Sequence, residues 1–414
     1  MTASVDLLVI HAAELVTPAA DSAAPLVGPA FGEPRRIPDG AVAVAGSRIV
    51  AVGDTDTVLR AHPPTTQTIV IEASERLVTP GLIDPHTHAC FAGDRSRDFL
   101  GRIHGARGDK QMSGGINTTV AATRAASFDE LVILTRERFE RMLAHGTTTA
   151  EVKSGYGLDL PTERKILEVY QHLAHRQPLT LLPTFLGAHA VPPGFTLESQ
   201  TDAVIAMLPD VAPLARFCDV FCDEGYFTLA QTRRIALAAK AQGLQIRLHA
   251  DELADVGAAA LAAELGALSA DHLLCVSEAG LKAMAQAGTV AIILPGTPFY
   301  LNLGRVAPVA AMRELGVPIA LSTDFNPGSS YSESLPLMMT LACLHNHMTP
   351  AECLTAATHN AAASLGISDQ VGRLAPGLQA DIVIWDAPSL EYLPSHFGVN
   401  LAETVIKAGR AVVA

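Results

Sequence analysis

The chain is short of charge. Asp, Glu, Lys and Arg make up 17% of its 414 residues, against 49% hydrophobic residues. That balance excludes general disorder and requires a large buried core. The charge that exists leans acidic, with 42 carboxylates against 29 Lys and Arg, a net of −13. A nucleic-acid backbone needs clustered cations, so nucleic acid is not an expected partner. Long apolar runs are missing too. Val290-Ala-Ile-Ile-Leu294 stops at Pro295, far short of the ~18 residues of a membrane span. The opening Met1-Thr-Ala-Ser-Val-Asp6 has no basic n-region and no apolar h-region, so no secretory signal is expected. Cysteine is scarce, at positions 90, 218, 222, 275, 343 and 353 only, which does not read as a disulfide framework. With no export signal, the reducing cytoplasm is the expected compartment. Cys218 and Cys222 have no second Cys or His pair at finger spacing, and are expected to be buried strand thiols. No repeat of fixed period is visible. No Gly-rich phosphate loop follows an early strand, which argues against a doubly wound dinucleotide fold.

What is present is alternation. Apolar or β-branched runs fall near 79–84, 147–153, 179–186, 216–221, 245–250, 268–273, 289–294 and 318–323. Helical patterns lie between most of them, including Phe128 to His145, Thr162 to His175, Thr228 to Ala241 and Ala254 to Leu265. Eight strands alternating with helices predict an α/β fold, a parallel (β/α)8 TIM-type barrel over 77–365. The two ends differ from this middle. Gly40 to Gly53 reads as two strands around a Gly-Ser turn, Thr17 to Pro38 as loop, and Ala380 to Trp385 as a strand after the Gly372–Gly377 turn. Residues 1–76 and 366–414 together predict one small β-sandwich domain formed by both termini.

Chemistry in such a barrel collects at the C-terminal ends of the strands. Those ends carry Asp84-Pro-His-Thr-His88, Glu151-Val-Lys153, His189, Asp223-Glu224, His249-Ala-Asp-Glu252, Asp271-His272 and Thr323-Asp324-Phe-Asn326. His86 and His88, two apart on an extended chain, share a face. His249 and Asp324 complete a four-ligand set for a divalent metal. Such an ion activates water and polarises a carbonyl. His272 and Glu252 are placed to move the protons, and Asp324 could share the first transfer.

The run Thr79-Pro-Gly-Leu-Ile-Asp-Pro-His-Thr-His88, with His249, His272 and Asp324 at later strand ends, resembles the amidohydrolase superfamily. Gly377 to Asp386 resembles the strand by which those chains return to their small β domain. His86 to Arg95, Gly114 to Asn117, Glu151 to Gly157, Phe185 to His189, His249 to Glu252 and Ser322 to Ser329 resemble one branch of that superfamily, which opens an imidazolone ring in histidine degradation. The resemblance implies hydrolysis of 4-imidazolone-5-propanoate to N-formimidoyl-L-glutamate with one Zn or Fe ion. It implies that His86, His88, His249 and Asp324 are the metal ligands. It places Arg95, Tyr156, His189, Glu252 and Ser329 at substrate-binding positions, and Asn326 and Gly328 at product contacts. A homodimer acting on a small anionic substrate, with no nucleic-acid or membrane partner, is the matching expectation.

The residues support parts of this directly. Segment 89–115 carries Arg95, Arg97, Arg102, Arg107 and Lys110 against Asp94, Asp98 and Asp109, a local balance of +2, which favours an anion at the mouth. Arg95 can fork onto a carboxylate. Asn326-Pro-Gly-Ser329 is a turn by composition and is expected to offer backbone N–H groups to a carboxylate. Strand 4 ends Asp223-Glu224 with no lysine to bridge two metals, which favours one ion, although Glu224 leaves a second conceivable. The alternative chemistry is deamination of a nitrogen heterocycle, with His249-x-x-Glu252 as the proton shuttle. A catalytically dead scaffold is the alternative of another class.

Overall fold

A computed structural model describes residues 5–103 and 115–413. Arg107, Asp109, Lys110 and Gly114, which entered the readings above, lie outside the described residues. Two eight-stranded sheets organise the chain. The barrel strands are β6 (Leu82–Asp84), β7 (Thr147–Lys153), β8 (Thr180–Ala188), β9 (Phe217–Cys222), β10 (Gln245–Ala250), β11 (Ser269–His272), β12 (Val290–Ile293) and β13 (Ile319–Leu321). They pair in chain order, all parallel. The ring closes between its first and last strands through a Thr87–Phe325 bridge, and through Asp84, which accepts from the side chains of Ser322 and Thr323.

The strands form because their residues are β-branched or apolar and buried on both faces, as a parallel sheet under helices requires. In β7, Thr-Thr-Thr-Ala-Glu-Val-Lys, every position is buried. The helices start where capping residues stop them fraying. Ser127 caps Phe128–Ala144 by accepting from Glu130 N at 3.2 Å. Thr228 and Gln231 form a capping box at the head of Leu229–Ala241. The helix expected from Ala254 is shorter, Ala258–Glu264. The Asp251 carboxylate accepts from Val256, Ala258 and Ala259, and Asp223 from Ala254, so these amides are committed to the loop.

The other sheet is built from both ends: β1 (Leu7–Thr17), β2 (Arg35–Ala45), β3 (Arg48–Asp54), β4 (Ile69–Glu72), β5 (Leu77–Pro80), β14 (Ile382–Trp385), β15 (Ala402–Lys407) and β16 (Arg410–Val413). Strand β5 pairs with β1 and β14, so Leu77–Pro80 belongs to this sheet and the barrel's first strand begins at Leu82. The region expected as loop, Thr17 to Pro38, contains a short helix Pro29–Gly32 and the start of β2, because Arg35 to Pro38 pair with Glu14 to Thr17. Gly81 makes the passage between sheets possible; a Cβ there would stand 2.3 Å from Thr148 Oγ1. Trp385 lies at the same seam, fully buried, donating from Nε1 to Thr79 Oγ1 at 2.8 Å, with Gly146 against its ring. No helix among the described residues is long and apolar enough to cross a membrane.

Candidate metal centre and active site

A cavity of about 370 Å³ opens at the C-terminal ends of the barrel strands. Its wall carries His88, Arg95, Tyr156, His189, His249, Glu252, His272, Asp324, Asn326, Gly328 and Ser329, and His86 lies fully buried behind His88. The chain brings these groups together from six strand ends. Three of the acid-rich loops turn through left-handed backbone at non-glycine residues: Asp251 (φ 50°), His272 (φ 75°) and Asp324 (φ 51°). Such conformations cost of order 1–3 kcal/mol each and persist where surrounding contacts over-determine them.

The innermost groups are three imidazoles and a carboxylate. His86 Nε2 and His88 Nε2 are 3.3 Å apart. Asp324 Oδ1 stands 3.5 Å from the first and 3.4 Å from the second. Four donors about 2.0–2.2 Å from a tetrahedral ion stand roughly 3.3–3.6 Å from one another, so this spacing fits a small divalent metal. His249 joins His86 and His88 with all ligand atoms within 4.8 Å of one another. Two of the three outer nitrogens have a carboxylate behind them: His86 Nδ1 is 2.6 Å from Asp271 Oδ2, and His249 Nδ1 is 2.9 Å from Asp219 Oδ2. Thr297 Oγ1 donates to the other oxygen of Asp324 at 2.5 Å. Burial pushes His86, His88 and His189 well below the ordinary imidazole range, with neighbouring cationic groups adding to the effect. His272 is pushed down to about 3, chiefly by burial. Neutral imidazoles are the form that binds a metal or accepts a proton.

Around this centre, His272 Nδ1 and Glu252 Oε1 are 3.7 Å apart. Asp223 fixes the loop that carries Glu252 by accepting from Glu252 N at 2.7 Å and Leu253 N at 2.9 Å. His189 stacks on His88 with ring centroids 5.1 Å apart, and its Nδ1 is 3.0 Å from Gly155 O. Tyr156 is held over the rings of His88 and His189 by a clamp beneath it. Glu163, fully buried, accepts from Gly155 N, Gly157 N and Leu158 N at 2.9, 2.7 and 2.8 Å. Arg95 pairs through Nε with Asp98 and reaches the edge of Gly328.

The turn at 326–329 departs from expectation. The N–H groups of Gly328 and Ser329 both donate to Asn326 Oδ1 at 2.8 Å, so the turn closes on itself and its backbone is not offered to a ligand. Glu224 is exposed and does not line the cavity, which leaves it no part in a second metal site. Cys218 and Cys222 are buried in β9 and Cys90 is buried beside the site; all six cysteines are free thiols. His345 and His347 are exposed, at the end of the helix Leu335–Asn346 and at its cap. Sequence reasoning missed the apolar wall of Ile116, Phe221, Tyr226, Leu253, Leu301 and Leu303. It also missed the charged layer below the histidines. The usable signal was parity: Arg247 shares a strand face with His249, and Glu151 with Lys153.

Known proteins resemble the chain in sequence and in fold. The model described as "Amidohydrolase family" matches residues 106–413, and "Imidazolonepropionase-like composite domain, bacteria" matches 40–64. Imidazolonepropionase of Symbiobacterium thermophilum is 48% identical, covering 99% of this chain and 97% of its own. That of Geobacillus kaustophilus is 46% identical, covering 98% of each. Among solved structures, Escherichia coli guanine deaminase superposes with a TM-score of 0.72 at 15% identity, covering 98% of this chain and 99% of that one. A zinc-bound adenosine deaminase from Xanthomonas campestris gives 0.72 at 19%, covering 99% and 93%. The structural likenesses carry the fold alone. The sequence likenesses run almost from end to end, and on their strength the chain belongs to the imidazolonepropionase family of amidohydrolases.

Proposed function

We propose that this chain hydrolyses 4-imidazolone-5-propanoate to N-formimidoyl-L-glutamate, using one Zn or Fe ion held by His86, His88, His249 and Asp324. The observation that carries the reading is the 3.3–3.5 Å convergence of two imidazole nitrogens and a carboxylate oxygen beside a cavity that also holds Arg95. When bound there, the ion supplies Lewis acidity, polarising a carbonyl and lowering the pKa of water from 15.7 toward ~7. The residues do the rest. His272, neutral because it is buried, takes the proton released as water adds to the ring carbonyl carbon, with Asp324 next to it. His272 passes that proton to Glu252, 3.7 Å away, and Glu252 delivers it to the ring nitrogen as the C–N bond breaks. The carbon has then gained the hydroxyl and the nitrogen the hydrogen. Arg95 and Tyr156 hold the propionate, and His189, Asn326, Gly328 and Ser329 shape the remaining contacts. Phe221 and Tyr226, stacked at 3.9 Å, give the planar ring an aromatic wall.

The same reading takes the barrel as the catalytic unit and the sheet from both termini as its support. The resemblance further implies a cytoplasmic homodimer, which molecular mass in solution tests. The function is tested by following imidazolone absorbance and metal content in one sample. Loss of absorbance in proportion to bound metal is expected. Ammonia release without ring opening would overturn the reading in favour of deamination.

A further inference from the structure

Directly under the histidines lie five charged side chains with no solvent exposure: Glu151, Lys153, Asp219, Arg247 and Asp271. Two cations against three carboxylates leave one negative charge in a space that water does not reach. Such a set is costly to bury unless every member is well paired. Lys153 Nζ is 2.8 Å from Asp219 Oδ2, 2.9 Å from Glu151 Oε1 and 3.9 Å from Asp271 Oδ2. The same Asp219 oxygen faces His249 Nδ1 at 2.9 Å, and the same Asp271 oxygen faces His86 Nδ1 at 2.6 Å. One ammonium therefore stands against both oxygens that back two of the clustered imidazoles.

Arg247 does not duplicate it. Its guanidinium is tied to backbone, donating to Ser364 O at 2.9 Å and Pro85 O at 2.7 Å. It lies 3.5 Å from Asp271 and 3.9 Å from Glu151. Among the described ion pairs, Asp219 has only Lys153 and His249 as partners. A lysine suits the place because a compact ammonium with three donors can meet three carboxylates at once, which a planar fork cannot.

We infer that Lys153 is a positioning residue for the metal centre, fixing through Asp219 and Asp271 the imidazoles of His249 and His86 so that their far nitrogens face a common point. The inference rests on the metal reading proposed above. Carboxylates behind metal-binding histidines commonly set affinity by 10–100-fold. Here the two carboxylates share one cation, so removing it loosens two ligands together.

The test is zinc affinity of the metal-free protein, by competition with a chromogenic chelator, for the unaltered chain and Lys153→Met, with thermal unfolding of both metal-free proteins alongside. The expected result is a dissociation constant raised about 10–100-fold in Lys153→Met. A role in packing alone would lower the unfolding temperature and leave the constant unchanged. A folded Lys153→Met that binds zinc within about threefold of the unaltered chain overturns the inference and leaves the metal site standing. Failure of the unaltered chain to bind zinc or iron removes the metal reading, and this inference with it. If Lys153→Met does not fold, the unaltered chain decides. It has few lysines, so ¹⁵N-lysine labelling resolves the exchange-protected ammonium groups. One of them must shift when zinc is added, and no shift in any of them overturns the inference.

Discussion

Gly328→Ala tests the anion clamp without replacing a charged group. A Cβ at this position would stand 2.9 Å from Arg95 Nη1, and 3.4 Å from both Arg95 Cζ and Asn326 Oδ1. Non-bonded carbon contacts settle at ~3.5–4.0 Å, so the guanidinium must retreat by about half an ångström or more. The backbone does not resist, since Gly328 is not among the positive-φ residues. Arg95 is only 7% exposed and is held through Nε by Asp98, so its retreat is a rotation away from the cavity. A charge-assisted hydrogen bond is worth about 1.5–3 kcal/mol, and a forked pair needs both oxygens in register. At about 1.4 kcal/mol per decade, the loss is roughly 10–100-fold. The propionate is remote from the bond that breaks, so the loss should appear in KM, with kcat within about threefold. Steady-state rates from imidazolone absorbance give both constants, and inhibition by the product N-formimidoyl-L-glutamate should weaken in parallel. An unchanged KM, or a fall in kcat with KM constant, would refute the placing of Arg95 on the propionate.

Asp324→Ala should lose metal on desalting and drop turnover by about 10³-fold or more, the several kcal/mol that a Lewis acid supplies; full activity in a metal-replete variant would end that assignment. Chelation of the unaltered chain should abolish activity, and Zn or Fe should restore it. Glu163→Ala strands three buried N–H donors, each worth ~1–3 kcal/mol, so denaturant unfolding should show a loss of at least about 2 kcal/mol, with a raised KM as the Tyr156 loop loosens. Glu163→Gln, which keeps one acceptor oxygen, should lose less. The metal-free protein should become less stable on acidification. Burial lowers the pKa values of His86, His88, His145, His189, His272 and His359. The unfolded chain therefore takes up protons first, and the stability present above ~6.5 is lost as pH falls, by up to ~1.4 kcal/mol per pH unit for each histidine. A melting temperature that is flat or rising from neutral to pH 5 would contradict this.

The barrel was legible because its strands are continuous runs with polar stops, and β7, β9 and β10 begin and end within a residue or so of their sequence spans. The convergence of the candidate site residues was legible for the same reason: Asp324 and His272 are polar residues at the ends of apolar runs. Three things were hidden. The turn at 326–329 spells a ligand loop and a self-closed loop alike, and only the direction of Asn326 Oδ1 separates them. The reach of β5 into the terminal sheet depends on pairing with Ile382–Trp385, some 300 positions away in sequence. Lys153 stood among the strand-end residues with no role assigned, because a linear sequence does not reveal which strand interiors face one another across a closed ring.

The seam at Trp385 gives the molecule an internal dye. It is the chain's one tryptophan, and its indole touches Thr79 on the terminal sheet and Gly146 at the foot of β7. Its emission therefore reports whether the two halves remain docked. A red shift that precedes the loss of helical circular dichroism would mean that the terminal sheet peels away from a ring still closed. Coincident transitions would mean that support and catalyst melt as one.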